Sequence, residues 1–232
     1  MNKSKVFIKK NDKIFLAGHN GLVGGSVFKK LKEKGFKKIL TISKKKLNLL
    51  DQKKVYKFIG KIKPKALIIC AAKVVGVNAN KSFKTEFIYE NMTIQNNLIY
   101  AAFKHNVNRL VFLGSSCIYP ANSKQPIKEE YLMTGSLETT NDAYAIAKIS
   151  GIKFCQSLNE QYKKNYICLM PTNIFGEQDN YNLQTSHFIP ALIRKIDTAI
   201  KKGKTHLEVW GTGKPKREFM HVDDLAEAII FF

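Results

Sequence analysis

The chain has 232 residues, 44% of them hydrophobic, which is enough to bury a full core without disulfide or metal staples. Its formal charge is +21, from 39 lysines and arginines against 18 acids, and only Arg109, Arg194 and Arg217 are not lysine. These cations are spread through every segment, with no basic arm or aromatic-interleaved stripe. The balance therefore argues against a specific nucleic-acid partner and for a solvated surface that attracts small anions.

Cys70, Cys117, Cys155 and Cys168 form no CxxC pair and no metal-ligand spacing, so no metal is expected and the thiols read as reduced. The apolar patch Val6–Ile8 is cut off at once by Lys9 and Lys10, too short for a signal peptide, and no run reaches the length of a membrane span. A soluble, cytoplasmic protein is expected.

Strand and helix patterns alternate from the start. Ile14–Ala17 reads as a buried strand, Gly18–Gly24 as a turn, and Val23, Val27, Phe28 and Leu31 as a helix that stops at Gly35. A strand at Ile39–Ile42 and a helix through Val55, Phe58 and Ile62, ended by Pro64, follow. Ala66–Cys70 is the third strand, residues 82–105 a long helix and Leu110–Leu113 the fourth strand. A polar, proline-containing loop runs to Asn141. A helix carrying Tyr144 leaves it, and Tyr166–Met170 is the fifth strand. Such alternation predicts an α/β fold, a Rossmann-like, doubly wound parallel sheet with helices on both faces. Beyond Pro171 the pattern loosens into a helix at Ile189–Lys201, a strand at Leu207–Trp210 and a last helical start at Asp223. The expected division is a dinucleotide-binding unit, 1–172, and a smaller substrate lobe, 173–232.

Gly18-His19-Asn20-Gly21-Leu22-Val23-Gly24 is a G-x-x-G-x-x-G turn between a strand and a helix. Glycines there let backbone approach a pyrophosphate, and the helix N-terminus supplies oriented N–H groups. After the second strand the chain reads Ser43-Lys44-Lys45-Lys46, with no acid before Asp51. A ribose hydroxyl calls for a carboxylate at that place and a 2′-phosphate for cations, so NADP(H) is favoured over NAD(H).

Tyr144 and Lys148 lie four residues apart, one helical turn, and so share a face. Alone, that spacing more often marks a core tyrosine and a solvated lysine. Here Gly114-Ser115-Ser116-Cys117 closes the fourth strand, where ligands of such sheets bind. Ser115 and Tyr144 can then converge on one carbonyl oxygen, with Lys148 expected to lower the phenol's pKa, an arrangement suited to ketone reduction by a nicotinamide.

The glycine turn, the serine and the YxxxK pattern resemble the extended short-chain dehydrogenase/reductases. Longer strings (AAKV, FIYEN, FLGSSCIYP, YAIAKISGIK, MPTNIFGEQDN, SHFIPALIRK and WGTGKPKREFMHVDD) are similar, along nearly the whole chain, to the GDP-L-fucose synthase family. The resemblance implies NADPH-dependent 3,5-epimerisation and 4-keto reduction of GDP-4-keto-6-deoxy-D-mannose, giving GDP-L-fucose, in a homodimer. It implies a catalytic set of Ser115, Cys117, Tyr144, Lys148 and His187. Cys117 would be the base and His187 the acid of the epimerisation, both with pKa values near enough to neutral for the task. Implied cofactor contacts are Gly18, Asn20, Gly21, Leu22, Val23, Gly24, Lys44, Leu113, Gly114, Lys148, Pro171, Asn173, Ile174 and His187. Lys195, Trp210 and Arg217 would hold the GDP-sugar.

The chain departs from the family at Asn20, where arginine is usual, at Val75 in place of glycine, and at Thr139 and Ala143 in place of prolines. It stops in the apolar run Ala228–Phe232, short of where family members continue. That leads us to expect a truncated substrate lobe with exposed apolar surface, and it motivates an alternative reading: a lobe that holds NADP without turnover.

Overall fold

The computed structural model describes residues 8–74, 83–209 and 211–232; Val75, Trp210 and the start of the long helix at Ser82 lie outside the described residues. Five strands, β1 (Lys13–Ala17), β2 (Lys38–Leu40), β3 (Ala66–Ile69), β4 (Arg109–Leu113) and β5 (Asn165–Leu169), form one sheet in the order β2-β1-β3-β4-β5. Every pairing is parallel. The helices are α1 (Leu22–Glu33), α2 (Gln52–Ile62), α3 (Lys84–Lys104), α4 (Asp142–Tyr162), α5 (Phe188–Lys201) and α6 (Val222–Phe231). Two short parallel strands, β6 (Asn173–Phe175) and β7 (Phe219–His221), make a second sheet.

The strands are apolar on both faces, as a sheet covered on both sides requires. Phe15, Ala17, Leu67, Ile69, Leu110 and Phe112 point one way, into a core shared with Val55 and Ile59 of α2, Leu98, Ile99 and Ala102 of α3 and Ile152 of α4. Ile14, Leu16, Ala66, Ile68, Val111 and Leu113 point the other way and meet Val27 and Leu31 of α1 and Leu225, Ala226 and Ile229 of α6. Period-two alternation thus assigns each strand residue to one of two cores.

Boundaries follow local chemistry. The α1 helix closes over Lys30 and Lys32, whose charges suit a helix C-terminus, and Gly35 takes φ +78° just beyond. Asp51 caps α2 by accepting from the Lys54 amide at 3.0 Å.

Three expectations need correction. The second strand ends at Leu40, because residues 44–46 turn, with the Lys46 and Leu47 amides both donating to the Ser43 carbonyl at 3.0 Å. Leu207–Val209 form no strand; Val209 is 50% exposed, so the alternation there has no face to bury, and the strand of this region is β7 instead. The apolar run 228–232 is half used: Ile229 is 2% exposed within the core, and only Phe231 and Phe232 stand in solvent. The α6 helix packs on α1 and on the main sheet. Ser26 donates to Asp223 at 2.6 Å to fix that seat.

Candidate active site

The order reverses between β1 and β3, and crevices open at such switch points beyond the carboxyl ends of the strands. The glycine turn leaves β1 there. Gly18 has φ +92°, and a Cβ on it would stand 2.5 Å from the Ala71 amide nitrogen beyond β3. A Cβ on Gly24, in the first turn of α1, would collide with the Gly18 carbonyl oxygen. Only glycine fits at either position. Gly21 heads α1 without a side-chain cap and no acid lies in the first turn, so the helix presents unsatisfied N–H groups and its positive end to the crevice. Asn20 at the tip of the turn is exposed.

A diphosphate suits that cradle. Beyond β2, Lys44, Lys45 and Lys46 are exposed on their turn, while the first carboxylate after them, Asp51, is engaged in capping α2. Cations without a free acid suit a 2′-phosphate. The described residues therefore fit NADP(H) better than NAD(H).

The second half of the site is assembled by β4, the turn after it and α4. The Gly114 amide donates to the Leu169 carbonyl at 2.8 Å and the Ser116 amide to the Pro171 carbonyl at 3.0 Å, which carries the chain across the top of the sheet. Ser115 starts a 3-10 turn, Ser116–Ile118, and its Oγ lies 3.0 Å from Cys117 Sγ and 3.4 Å from the Cys117 amide. Lys148 is 4% exposed. Its Nζ donates to the Leu113 carbonyl at 2.7 Å and stands 5.6 Å from the Tyr144 ring and 4.9 Å from the Phe112 ring.

Burial governs the charges here. It pulls the Lys148 ammonium down to about 8, against a smaller opposing pull from the Cys117 and Cys70 thiols. It lifts the Cys117 thiol above its ordinary value, although hydrogen bonds from Ser115 and Asn141 and the Lys148 charge oppose the rise. It also holds the half-buried Tyr144 phenol well above the usual range, with the Cys117 thiolate charge adding to the effect. The expectation that Lys148 would lower the phenol pKa is therefore reversed in the ligand-free chain, as is that of a near-neutral thiol. One cation that itself carries a desolvation cost does not outweigh the water removed from its neighbours.

The remaining site candidates come from the segment after β5. Asn173, at the start of β6, bonds the Glu218 carbonyl through both its amide and its side chain (3.3 and 3.0 Å), while Ile174 packs on the α1 side of the core. Pro171 is half-buried. His187 heads α5, exposed, with its charge acting on Asp179, whose carboxyl is raised by burial and lowered by the Asn180 amide and His187. Lys195 Nζ donates to the Glu208 carbonyl at 3.3 Å, and Arg217 to the Lys216 carbonyl at 2.7 Å, both near the protein surface.

Several buried polar residues were not singled out from sequence. Asn91, 2% exposed, accepts from the Lys73 amide at 2.8 Å and donates to the Lys73 carbonyl at 3.1 Å, clamping the loop after β3 against α3. Lys73 Nζ pairs with Glu90 at 2.5 Å. Gln95, one turn on, reaches across to α4. The signal was present as polar residues at i and i+4 on a helix face that should be apolar. Lys84 bonds Asp142 (2.9 Å) and the Thr139 carbonyl (2.8 Å), and the Ala143 amide bonds Asp142, so the two lost prolines sit where polar ties hold the loop.

A model of the NAD dependent epimerase/dehydratase family matches residues 14–232. The chain belongs to that family. Among members, it is 46% identical over 218 residues to GDP-L-fucose synthase of Escherichia coli (strain K12), covering 94% of this chain and 68% of that protein. It is 48% identical over 222 residues to GDP-L-fucose synthase 1 of Arabidopsis thaliana, covering 96% and 69%. Among solved structures, GDP-mannoheptose C4 reductase from Campylobacter jejuni with NADP bound superposes with a TM-score of 0.89. The two are 35% identical, over 97% of this chain and 75% of that one. No helix among the described residues is long and apolar enough to cross a membrane.

Proposed function

We propose that this chain is an NADPH-dependent epimerase/reductase that converts GDP-4-keto-6-deoxy-D-mannose into GDP-L-fucose. The observation that carries the reading is the Ser115–Cys117 bonded pair at the end of β4 and Lys148, bonded to the Leu113 carbonyl and facing the Tyr144 ring, beside a glycine cradle that admits no side chain at Gly18 or Gly24. The 44–48% identity to GDP-L-fucose synthases supports the substrate.

The hydrogens on carbons 3 and 5 of the sugar flank the ketone and are acidic. Cys117, as thiolate, removes each from one face, and His187 returns a proton from the other. Ser115 donates to the carbonyl oxygen and holds the ketone toward Tyr144. When bound, NADPH supplies a hydride to carbon 4, and Tyr144 gives its proton to the carbonyl oxygen as the charge develops. Burial keeps that phenol protonated at rest, so the proton is in place, while its raised pKa makes it a weaker acid than a solvated tyrosine. Lys148 provides the nearby cation, and Lys195 and Arg217 take the diphosphate side of the substrate. Gly18, Asn20, Gly21, Leu22, Val23, Gly24, Lys44, Leu113, Gly114, Lys148, Pro171, Asn173, Ile174 and His187 would hold the cofactor.

We read the protein as a cytoplasmic homodimer, with four free cysteines suited to a reducing compartment. The exposed Tyr89, Tyr100 and Ile146 on α3 and α4 offer a surface for the second copy. The test is solvent exchange. Incubated with the keto-sugar in heavy water without cofactor, the protein should place deuterium on carbons 3 and 5, and NADPH added afterwards should be oxidised. NADPH binding with no deuterium incorporation would remove the epimerase reading and leave a cofactor-holding lobe.

A further inference from the structure

The α4 helix reaches the site through a single turn, and three contacts seat that turn. Lys148 bonds the Leu113 carbonyl on β4 at 2.7 Å. Gly151 rests on β4 so closely that a Cβ would lie 2.7 Å from Phe112 Cζ and 2.9 Å from Gln95 Cδ. The third contact is polar. Gln95 of α3, 2% exposed, donates through Nε2 to the Ala147 carbonyl at 2.5 Å and to Ser150 Oγ at 2.9 Å. Ser150 Oγ also donates to the Ala147 carbonyl, at 2.8 Å.

We propose that Gln95 is a positioning residue: its carboxamide fixes the height and rotation of the α4 turn on β4, and so sets where Lys148 and Tyr144 stand. The inference rests on Lys148 and Tyr144 being site residues, as read above. The physical reason is that apolar packing tolerates sliding, whereas a hydrogen bond in a water-free interface fixes direction. The Ala147 carbonyl is joined directly to the Lys148 nitrogen, so a fixed Ala147 peptide is a fixed origin for the lysine side chain. The Gly151 contact limits how close α4 comes to the sheet. It does not set how far α4 slides along the sheet; the Lys148–Leu113 bond is made by a long flexible side chain, so the Gln95 bond to the Ala147 backbone is the constraint on the helix itself.

Gln95→Leu keeps the volume and removes both donor contacts. Competitive acylation of the cofactor-free protein, read peptide by peptide, reports the midpoint at which Lys148 becomes a reactive amine, expected near 8 in the natural chain. In Gln95→Leu this midpoint should rise toward the free-lysine value as the ammonium meets water. NADPH affinity should fall about tenfold, the kind of loss a displaced binding group produces. Ser150→Ala leaves the Gln95–Ala147 bond in place and should resemble the natural chain in both readouts. A Gln95→Leu protein with a lowered melting temperature but unchanged Lys148 midpoint and NADPH affinity would overturn the proposal, since Gln95 would then only stabilise. If Gln95→Leu does not fold, Gln95→Met, which keeps the reach without the donor, is judged by the same two readouts. The labelling needs neither substrate nor cofactor, so a natural chain without turnover would sink the functional reading while leaving this one still decided by Lys148.

Discussion

Lys148 is the group whose ionisation is most directly tied to the fold, and Lys148→Met isolates it. The folded chain holds the ammonium at about 8 against an ordinary 10.5, so between those values the unfolded chain binds more protons than the folded one. Stability then rises with pH across that window. Below about pH 8 both states carry the charge, and the folded state bears the full cost of burying it. From the gap between the two values, that cost is about 3 kcal/mol. Methionine keeps the unbranched stem and removes the charge. Groups that do not face Lys148 titrate alike in both proteins and cancel when the two unfolding free energies are subtracted, while Cys70 and Cys117, which lose the lysine charge that lowers their pKa, are pushed further up in the variant. Urea unfolding from pH 6 to 9.5 should show the natural chain gaining on Lys148→Met, flat up to pH 8 and by about 2 kcal/mol at pH 9.5. Parallel curves, or a natural chain that loses ground as pH rises, would mean that the ammonium is solvated and that the desolvation argument for the whole cluster is wrong.

Ser115→Ala removes the hydrogen bond that most opposes the rise of the Cys117 thiol, so the thiol pKa should climb further. The pH dependence of iodoacetamide alkylation at Cys117 measures it, and an unchanged midpoint would deny the hydrogen bond. Replacing Lys44, Lys45 and Lys46 together by alanine should weaken NADPH by about tenfold and leave NADH unchanged, because exposed charges each act weakly and only on the extra phosphate. Equal losses for both cofactors in a titration would place the 2′-phosphate elsewhere. Gly24→Ala drives a Cβ into the Gly18 carbonyl, and it should abolish NADPH binding and lower the melting temperature. Retained binding by fluorescence titration would show that the turn yields.

The sheet was legible because its strands are short apolar runs separated by helical periodicity, and a buried parallel strand has no other signature. Leu207–Trp210 misled for the same reason: alternation describes a strand only if a neighbour is present to pair with it, and Val209 is half exposed. The lysine run after β2 was readable together with the missing acid, but that Asp51 is occupied in capping α2 needed coordinates. Asn91 and Gln95 were visible as polar residues in the α3 pattern, yet their partners, Lys73 and Ala147, lie 18 and 52 residues away. No local spacing carries such pairings. The gathering of Ser115, Cys117, Tyr144 and Lys148 at one strand end could be read; the direction of the pKa shifts of Cys117, Tyr144 and Lys148 could not, because a sequence lists neighbouring charges but not how much water is removed from them.

That direction changes how the two reactions fit into one cluster. Epimerisation needs a thiolate and reduction needs a protonated phenol, while burial keeps both Cys117 and Tyr144 protonated at rest. On the proposed roles, the resting protonation states match the second reaction and not the first. What makes a thiolate accessible is that Cys117 and Lys148 act on each other: the lysine charge lowers the thiol pKa, and the thiolate charge raises that of the lysine. A thiolate beside an ammonium is a pair of zero net charge, which burial penalises less than either ion alone. In the mechanism proposed above, one buried lysine would serve both steps: as the cation that steadies a thiolate during carbon deprotonation, and as the cation beside the phenol when the ketone oxygen is protonated.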